Sequence, residues 1–222
     1  AVTDEWNGFN ILHAAAARVA GLDLGFVPGK KGLGTDDMIA AAGRGDIDVL
    51  YLLGADEIDM SALGETFVIY QGSHGDNGAH RAHVILPGPA YTEKEGTYAN
   101  TEGRVQMTTR AIFPPGEARE DWSIVKAVSD AIGKSLPFET LQELRGKMYA
   151  SAPQLAQLDT LEKADASSIA TMAEHTAKPS REPFGISIDD YYLTNPIARA
   201  SAIMASLSAM GSDAERATGT DG

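Results

Sequence analysis

Three short apolar runs stand out along the chain: Val49-Leu50-Tyr51-Leu52-Leu53, Phe67-Val68-Ile69-Tyr70 and Val84-Ile85-Leu86. Each is strand-sized and apolar at consecutive positions. That is the pattern of a parallel strand covered on both faces, not of a strand with one wet face. The intervals 54–66 and 71–83 hold 13 residues each, about the least that a right-handed crossover with a short helix needs. The pattern predicts an α/β fold with a doubly wound, largely parallel sheet.

Helical spacing flanks this region. Ile11, Leu12, Ala15 and Val19 share a stripe in an alanine-rich stretch from Ile11 to Ala20, with Gly21 as its stop. Thr35 is the expected N-cap of a helix with body Met38–Ala42, Asp36 and Asp37 at the positive end of its dipole, and Gly43 closing it. Pro87-Gly88-Pro89 ends the third strand, and Thr97–Thr109 reads as an irregular loop leading to an edge strand. After a break at Pro114-Pro115-Gly116, Trp122, Val125, Val128 and Ile132 form a stripe from Asp121 to Ile132, closed by Gly133. Leu141, Leu144 and Met148 form another within Glu139–Met148. Asn195 caps a last helix with Pro196 in its first position, Gly211 at its end and an apolar stripe of Ile197, Ala200, Met204 and Leu207. Its other faces carry small residues that permit close packing, and Ser212–Gly222 reads as a frayed tail. The expected organisation is an α/β domain over 1–150, a polar linker or surface excursion over 151–183, and a helical segment with its tail over 184–222.

Charge narrows the function classes. The 18 Lys and Arg stand against 31 Asp and Glu, a net charge of −13, which argues against bare nucleic acid and anionic lipid as partners. The chain has no cysteine, which excludes disulfides, thiolate metal sites, cysteine nucleophiles and cysteine-held iron–sulfur clusters within these residues. No run approaches the ~20 apolar residues of a membrane span. The sequence starts without methionine and already inside folded-looking sequence, which suggests a processed product or the tail piece of a longer chain, of which we favour the second.

Candidate chemistry gathers in Gly72-Ser73-His74-Gly75-Asp76-Asn77-Gly78-Ala79-His80-Arg81-Ala82-His83. His74, His80 and His83 with Asp76 are ligand types for a divalent ion, but they equally suit the polar face of a short crossover helix. Ser73, His74 and Asp76 have the types of a hydrolase triad, yet neighbours in sequence cannot easily orient on one another. The glycine-rich loop before Thr35 resembles an anion cradle, but Lys30 and Lys31 precede its glycines and Asp37 stands where a dinucleotide fingerprint needs glycine. Glu93/Glu95 and Asp189/Asp190 read as solvated edges, and Trp122 as a core anchor. No catalytic, cofactor-binding or metal-binding residue is assigned.

One stretch is distinctive as wording. Tyr91-Thr92-Glu93-Lys94-Glu95-Gly96-Thr97-Tyr98-Ala99-Asn100-Thr101-Glu102-Gly103-Arg104-Val105-Gln106, after a strand ending Val84-Ile85-Leu86-Pro87, resembles the signature of the molybdopterin oxidoreductase superfamily. With "PPGEAREDW" and "DYYLTNPIARAS" further on, it is more similar still to the large iron–sulfur subunit of respiratory complex I, from about Trp6 to Ala209. His83 departs from the superfamily pattern, which has aspartate before the strand. An acid there caps a neighbouring amide, and an imidazole would do so differently.

The resemblance implies the sheet of the formate dehydrogenase and DMSO reductase type with a helical C-terminal extension. It further implies 2Fe–2S and 4Fe–4S clusters in an N-terminal part outside this segment, with none here. The partners implied are other subunits of the peripheral arm of complex I, without direct membrane insertion. The implied location is the cytoplasmic face of a bacterial inner membrane, or the matrix side of a mitochondrial one. Glu93, Gly96, Thr97, Asn100, Glu102, Gly103 and Arg104 are then loop architecture, with Glu102 and Arg104 tying the turn. The leading expectation is a scaffold supporting electron transfer from NADH to quinone. The alternatives are part of a molybdenum bis-pterin dehydrogenase, with Arg104, Lys94 and the loop Gly29–Thr35 as phosphate partners, and an interaction module without a redox role.

Overall fold

The computed structural model describes residues 10–162, 167, 171, 181–183, 185, 188 and 190–218. Asp189 and most of the 151–183 excursion beyond Glu162 lie outside the described residues. In chain order the main elements are α1 (Arg18–Asp23), α2 (Thr35–Gly43), β1 (Val49–Leu53), β2 (Phe67–Gly72), α3 (Asn77–Arg81), β3 (Val84–Pro87), β4 (Thr97–Ala99), β5 (Val105–Met107), α4 (Asp121–Ala131), α5 (Leu141–Ser151), α6 (Pro196–Arg199) and α7 (Ala202–Thr218). They divide into two compact units, each drawn from three stretches of chain: 1–32, 91–113 and 126–183 in one, 33–90, 114–125 and 184–222 in the other.

The second unit is built on the expected parallel sheet, in the order β1-β2-β3. Leu50 pairs with Val68 and Leu52 with Tyr70, while Tyr70 pairs with Ile85 on the other side. Because side chains alternate, Leu52, Val68 and Tyr70 point to one face, where they are buried with Ala42 and Leu63 beneath Ile39, Ile58, Met60 and Ala79. The opposite row departs from the expected two-sided burial: Val49 and Leu53 are 55% and 56% exposed. The reason is topological. Right-handed crossovers between strands taken in one direction fall on one face, so α3 and a 3-10 turn at Met60–Leu63 cover the Tyr70 side.

Local caps differ from the sequence expectation in detail. Gly34, not Thr35, is the N-cap of α2, and Thr35 is its first helical residue. Asp36 and Asp37 do occupy the first turn. Gly43 ends α2 where a Cβ would sit 2.6 Å from the carbonyl oxygen of Ala62, so the helix meets the 3-10 turn backbone to backbone. Asn195 caps α6 as expected, accepting from the Ala198 amide at 2.9 Å. The chain then breaks at Ala200–Ser201, and Gly211 lies inside α7, which runs through to Thr218. Among residues 202–211 the half-buried ones are Met204, Ser208 and Gly211, preceded by Ser201, while Leu207 is exposed. The small side chains face inward because they let the backbone close on Tyr192, whose ring lies 3.7 Å from a Cβ placed at Gly211.

The first unit centres on Ala20, Ala99, Val105, Ala152 and Leu155, with Val19, Met148 and Tyr149 against them. Here α1 begins only at Arg18; Ile11 and Leu12 are exposed, and the reversal comes at Gly25 (φ 70°) instead of Gly21. The expected irregular loop at 97–109 is an antiparallel hairpin, β4–β5, pairing Tyr98 with Gln106. Its turn is tied by Asn100, whose Oδ1 accepts from the amides of Glu102 and Arg104, with Gly103 at φ 83°. Ala152 and Leu155 open the stretch expected to be a surface excursion, yet both are core, and Leu158 bridges to Val105. In α5, Thr140 caps the amide of Glu143 and Leu141, Leu144 and Met148 are half-buried, as the stripe requires. The end of the α4 stripe does not hold: Ile132 is 67% exposed, while Lys126 is buried, bound to Asp130 at 2.9 Å and Glu139 at 3.0 Å.

Candidate functional site

Two polar networks stand at the carboxyl ends of β1 and β2, one on each face of the sheet. On the covered face, Tyr70 is 1% and Asp56 2% exposed. The Tyr70 hydroxyl donates to Asp56 Oδ2 at 2.9 Å and lies 3.3 Å from the carbonyl oxygen of His74. Asp56 Oδ1 accepts from the amide of Gly78 at 3.0 Å. Burial, then the hydrogen bond to Asp56 and the surrounding carboxylates, push the Tyr70 phenol well above its ordinary range. Glycines at 72 and 78 make room for the ring: a Cβ at either would lie under 3.0 Å from it.

Around this buried pair the charges are mostly negative. Glu57 Oε2 accepts from the amide of Asp56 at 3.2 Å. Asp76 caps α3 through the amide of Asn77 at 2.8 Å. One cation meets both acids: Arg199 of α6 donates from Nε to Asp76 at 2.5 Å, from Nη2 to Glu57 at 3.2 Å, and from Nη1 to the carbonyl of Leu193 at 3.2 Å. Burial pushes the Asp76 carboxyl up, but its bonds to Arg199 and the Asn77 amide outweigh that and hold it below the usual carboxylate range.

On the opposite face, fully buried Gln71 links two elements of the same unit. The Tyr51 hydroxyl donates to Gln71 Oε1, and Gln71 Nε2 donates to Asp121 Oδ1 at 2.9 Å. Burial, then the negative charge of Asp121, raise the Tyr51 phenol. The opening of α4 is thereby fixed to the sheet.

The sequence candidates are dispersed. His83 Nδ1 accepts from the amide of Val68 at 3.0 Å, its own amide donates to the Val68 carbonyl at 2.8 Å, and its ring stacks on Phe67 with centroids 4.7 Å apart. The imidazole therefore does accept a neighbouring amide, and its neutral form carries the proton on Nε2. His74 Nδ1 lies 2.9 Å from Ser73 Oγ, while Asp76 is engaged by Arg199, so no triad forms. His80 lines an open cleft of about 530 Å³ with Asp59, Ser61, Asn77 and Arg81. Arg81 itself donates to the carbonyls of Gly64 and Thr66 at 2.7 and 3.2 Å. Among the described residues, no group of three or more His, Asp or Glu converges as a metal site.

Glu95 pairs with Arg145 at 3.2 Å, and Asp190 caps Tyr192 and accepts from Ser208. Trp122 donates its indole N–H to Glu120 at 2.5 Å. Arg104 donates to the carbonyl of Asp159 at 2.9 Å and stands 3.8 Å from Glu102. The residues that sequence reasoning missed are Asp56, Glu57, Tyr70, Gln71 and Arg199. The only local signal was a glutamine and a tyrosine closing an otherwise apolar strand.

Comparison with known proteins adds the following. The family Molybdopterin oxidoreductase matches residues 1–131, and the C-terminal family of NADH-ubiquinone oxidoreductase G matches residues 159–207. The mitochondrial NADH dehydrogenase (ubiquinone) iron-sulfur protein 1 of Solanum tuberosum is 43% identical over 210 residues, covering 94% of this chain and 27% of that protein. The NADH-ubiquinone oxidoreductase 75 kDa subunit of Reclinomonas americana is 41% identical, covering 94% and 29%. The mitochondrial 78 kDa subunit of Neurospora crassa is 40% identical, covering 94% and 27%. The chain spans less than a third of the length of these relatives.

Proposed function

Because the chain belongs to the molybdopterin oxidoreductase family, we propose that it is a supporting segment of the large iron–sulfur subunit of an NADH–quinone oxidoreductase, with no catalytic, cofactor-binding or metal-binding residue of its own. The observation that carries this reading is the second family match, over 159–207, joined to 40–43% identity with NADH dehydrogenase subunits across 94% of the chain. A molybdenum dehydrogenase of the formate dehydrogenase kind leaves that match unexplained.

The site chemistry supports the same reading. The group the family name implies, a pterin nucleotide, is large and anionic, so its site needs cations and free backbone amides converging on phosphate. The residues at the carboxyl ends of β1 and β2 do not fit it. Asp56, Glu57 and Asp76 outnumber the one guanidinium among them, and Arg199 is already held by Asp76 and Glu57. The amides of Asn77 and Gly78, which would otherwise receive an anion, donate to Asp76 and Asp56. The glycine-rich loop at 29–34 leads into a helix that opens with Asp36 and Asp37. Arg104 is spent on its own chain.

On this reading electrons pass from NADH to quinone through 2Fe–2S and 4Fe–4S clusters held by other parts of the subunit, since this chain has no cysteine. Its partners are neighbouring subunits of the peripheral arm. Its place is the cytoplasmic or matrix side of the membrane, which no helix among the described residues is long and apolar enough to cross.

The test is a hybrid in which this chain replaces the matching segment of a full-length relative. The hybrid should assemble, retain NADH–quinone turnover and keep an unchanged iron content. The purified chain should contain neither molybdenum nor pterin fluorescence. Stoichiometric molybdenum or pterin, or a hybrid that fails to assemble where the relative's own segment succeeds, refutes the proposal.

A further inference from the structure

In open α/β sheets the crevice outside the carboxyl ends of the strands is where ligands bind. Here that position carries Asp56, Glu57 and Asp76, and it is not empty. The guanidinium of Arg199 sits in it, brought from 123 residues away from Asp76 and 142 away from Glu57. The seat is shaped for a planar cation. Nε meets Asp76 and Nη2 meets Glu57, so two neighbouring N–H groups of one fork find two separate carboxylates, while Nη1 returns to the carbonyl of Leu193.

The segment that delivers Arg199 is itself anchored at both ends. Asn195 caps α6 just before it, and Asp190 accepts from both the Tyr192 amide and the Ser208 hydroxyl, pinning α7 to the turn at Tyr191–Leu193. Arg199 is thus presented on a braced loop of helix. Asp76 and Glu57 lie within residues 1–131 and Arg199 within 159–207, so the contact joins the two stretches that match separate families.

We propose that the acidic crevice at the carboxyl ends of β1 and β2 is a guanidinium receptor, and that residues 190–211 are its resident ligand, clasped through Arg199. The clasp converts a ligand crevice of anion-binding type into a closed, charge-inverted joint. It concerns this chain alone and stands or falls separately from the role in NADH oxidation.

Chemical rescue tests it. Arg199→Ala removes a fragment that N-ethylguanidinium reproduces in shape and charge. The variant should lose about 2–4 °C in Tm. N-ethylguanidinium at tens of millimolar should restore part of that loss, whereas ethylammonium or urea at the same concentration should not. The wild type should gain nothing from any of them. No rescue, or an equal gain by the wild type, overturns the proposal. Should Arg199→Ala not fold, hydrogen exchange on the Arg199→Lys chain decides. Faster exchange confined to 191–211 and 76–81, with α2 unchanged, is expected, because an ammonium cannot span both acids. Exchange equal to the wild type overturns the proposal.

Discussion

Replacing Tyr70 by Phe removes one hydroxyl from a site that water does not reach. The ring stays in its pocket between Gly72 and Gly78, so the packing contribution is preserved. The hydroxyl donates to the carboxylate of Asp56 at 2.9 Å, and the two residues are 1% and 2% exposed. A hydrogen bond to a charged acceptor contributes about 1.5–3 kcal/mol. No water can replace the lost donor, and Asp56 keeps the amide of Gly78 at 3.0 Å as its remaining side-chain partner here. We therefore expect a loss of about 2 kcal/mol. In urea denaturation this is a fall in midpoint of about 0.7–1 M with an unchanged slope. Asp56→Asn keeps an acceptor for Gly78 but loses the charge, and the Tyr70→Phe/Asp56→Asn cycle should show a coupling of about 1 kcal/mol or more. A midpoint that moves by less than about 0.2 M, or single-variant losses that simply add, would show that Asp56 is not the charged anchor of this network.

Gly78→Ala places a Cβ 2.6 Å from the Tyr70 ring and 2.8 Å from Asp56 Oδ1, so it should cost about 2–4 kcal/mol in the same assay; an unchanged midpoint would contradict the close approach. His83→Ala strips the Val68 amide of its acceptor and should cost about 1–2 kcal/mol. His83→Asp restores an acceptor and should recover at least half of that loss, which equal midpoints for the two variants would disprove. The Asp76 carboxyl, held below the ordinary aspartate range in the folded chain, adds stability that is fully present above about pH 4 and is lost as pH falls through its folded value. The groups facing it are Arg199, His80 and Tyr70, and Glu57 shares Arg199 with it. Unfolding followed from pH 6 to pH 2.5 should therefore show a steeper acid loss in the wild type than in Arg199→Met, and parallel curves would count against the pair.

The parallel strands were legible because nothing else explains three apolar runs separated by equal intervals. A spacing of 13 residues leaves room for one short crossover helix and little more. Asn195-Pro196 was equally plain, since a capping amide and a residue without an N–H each have one good place at a helix start. The hairpin β4–β5 was not legible: its strands are three residues long, too short to alternate, and it is shaped by the Asn100 carboxamide binding two amides at once. The inward face of α7 escaped the apolar pattern for a different reason. Apolar Leu207 stays exposed while Ser208 and Gly211 turn inward, because a short side chain lets a backbone approach where a large one keeps it away. Beyond the tyrosine and glutamine that close β2, the site left little local signature, since Glu57, Asp76 and Arg199 meet only through tertiary folding.

That separation governs the order of events when the polypeptide is made. At roughly 5–20 residues per second, the 123 positions between Asp76 and Arg199 take roughly 6–25 s to synthesise. Throughout that interval the nascent chain holds its acids without their counter-cation. Once the chain is complete, closing so wide a loop costs more entropy than a local contact does, though the cost grows only slowly with length.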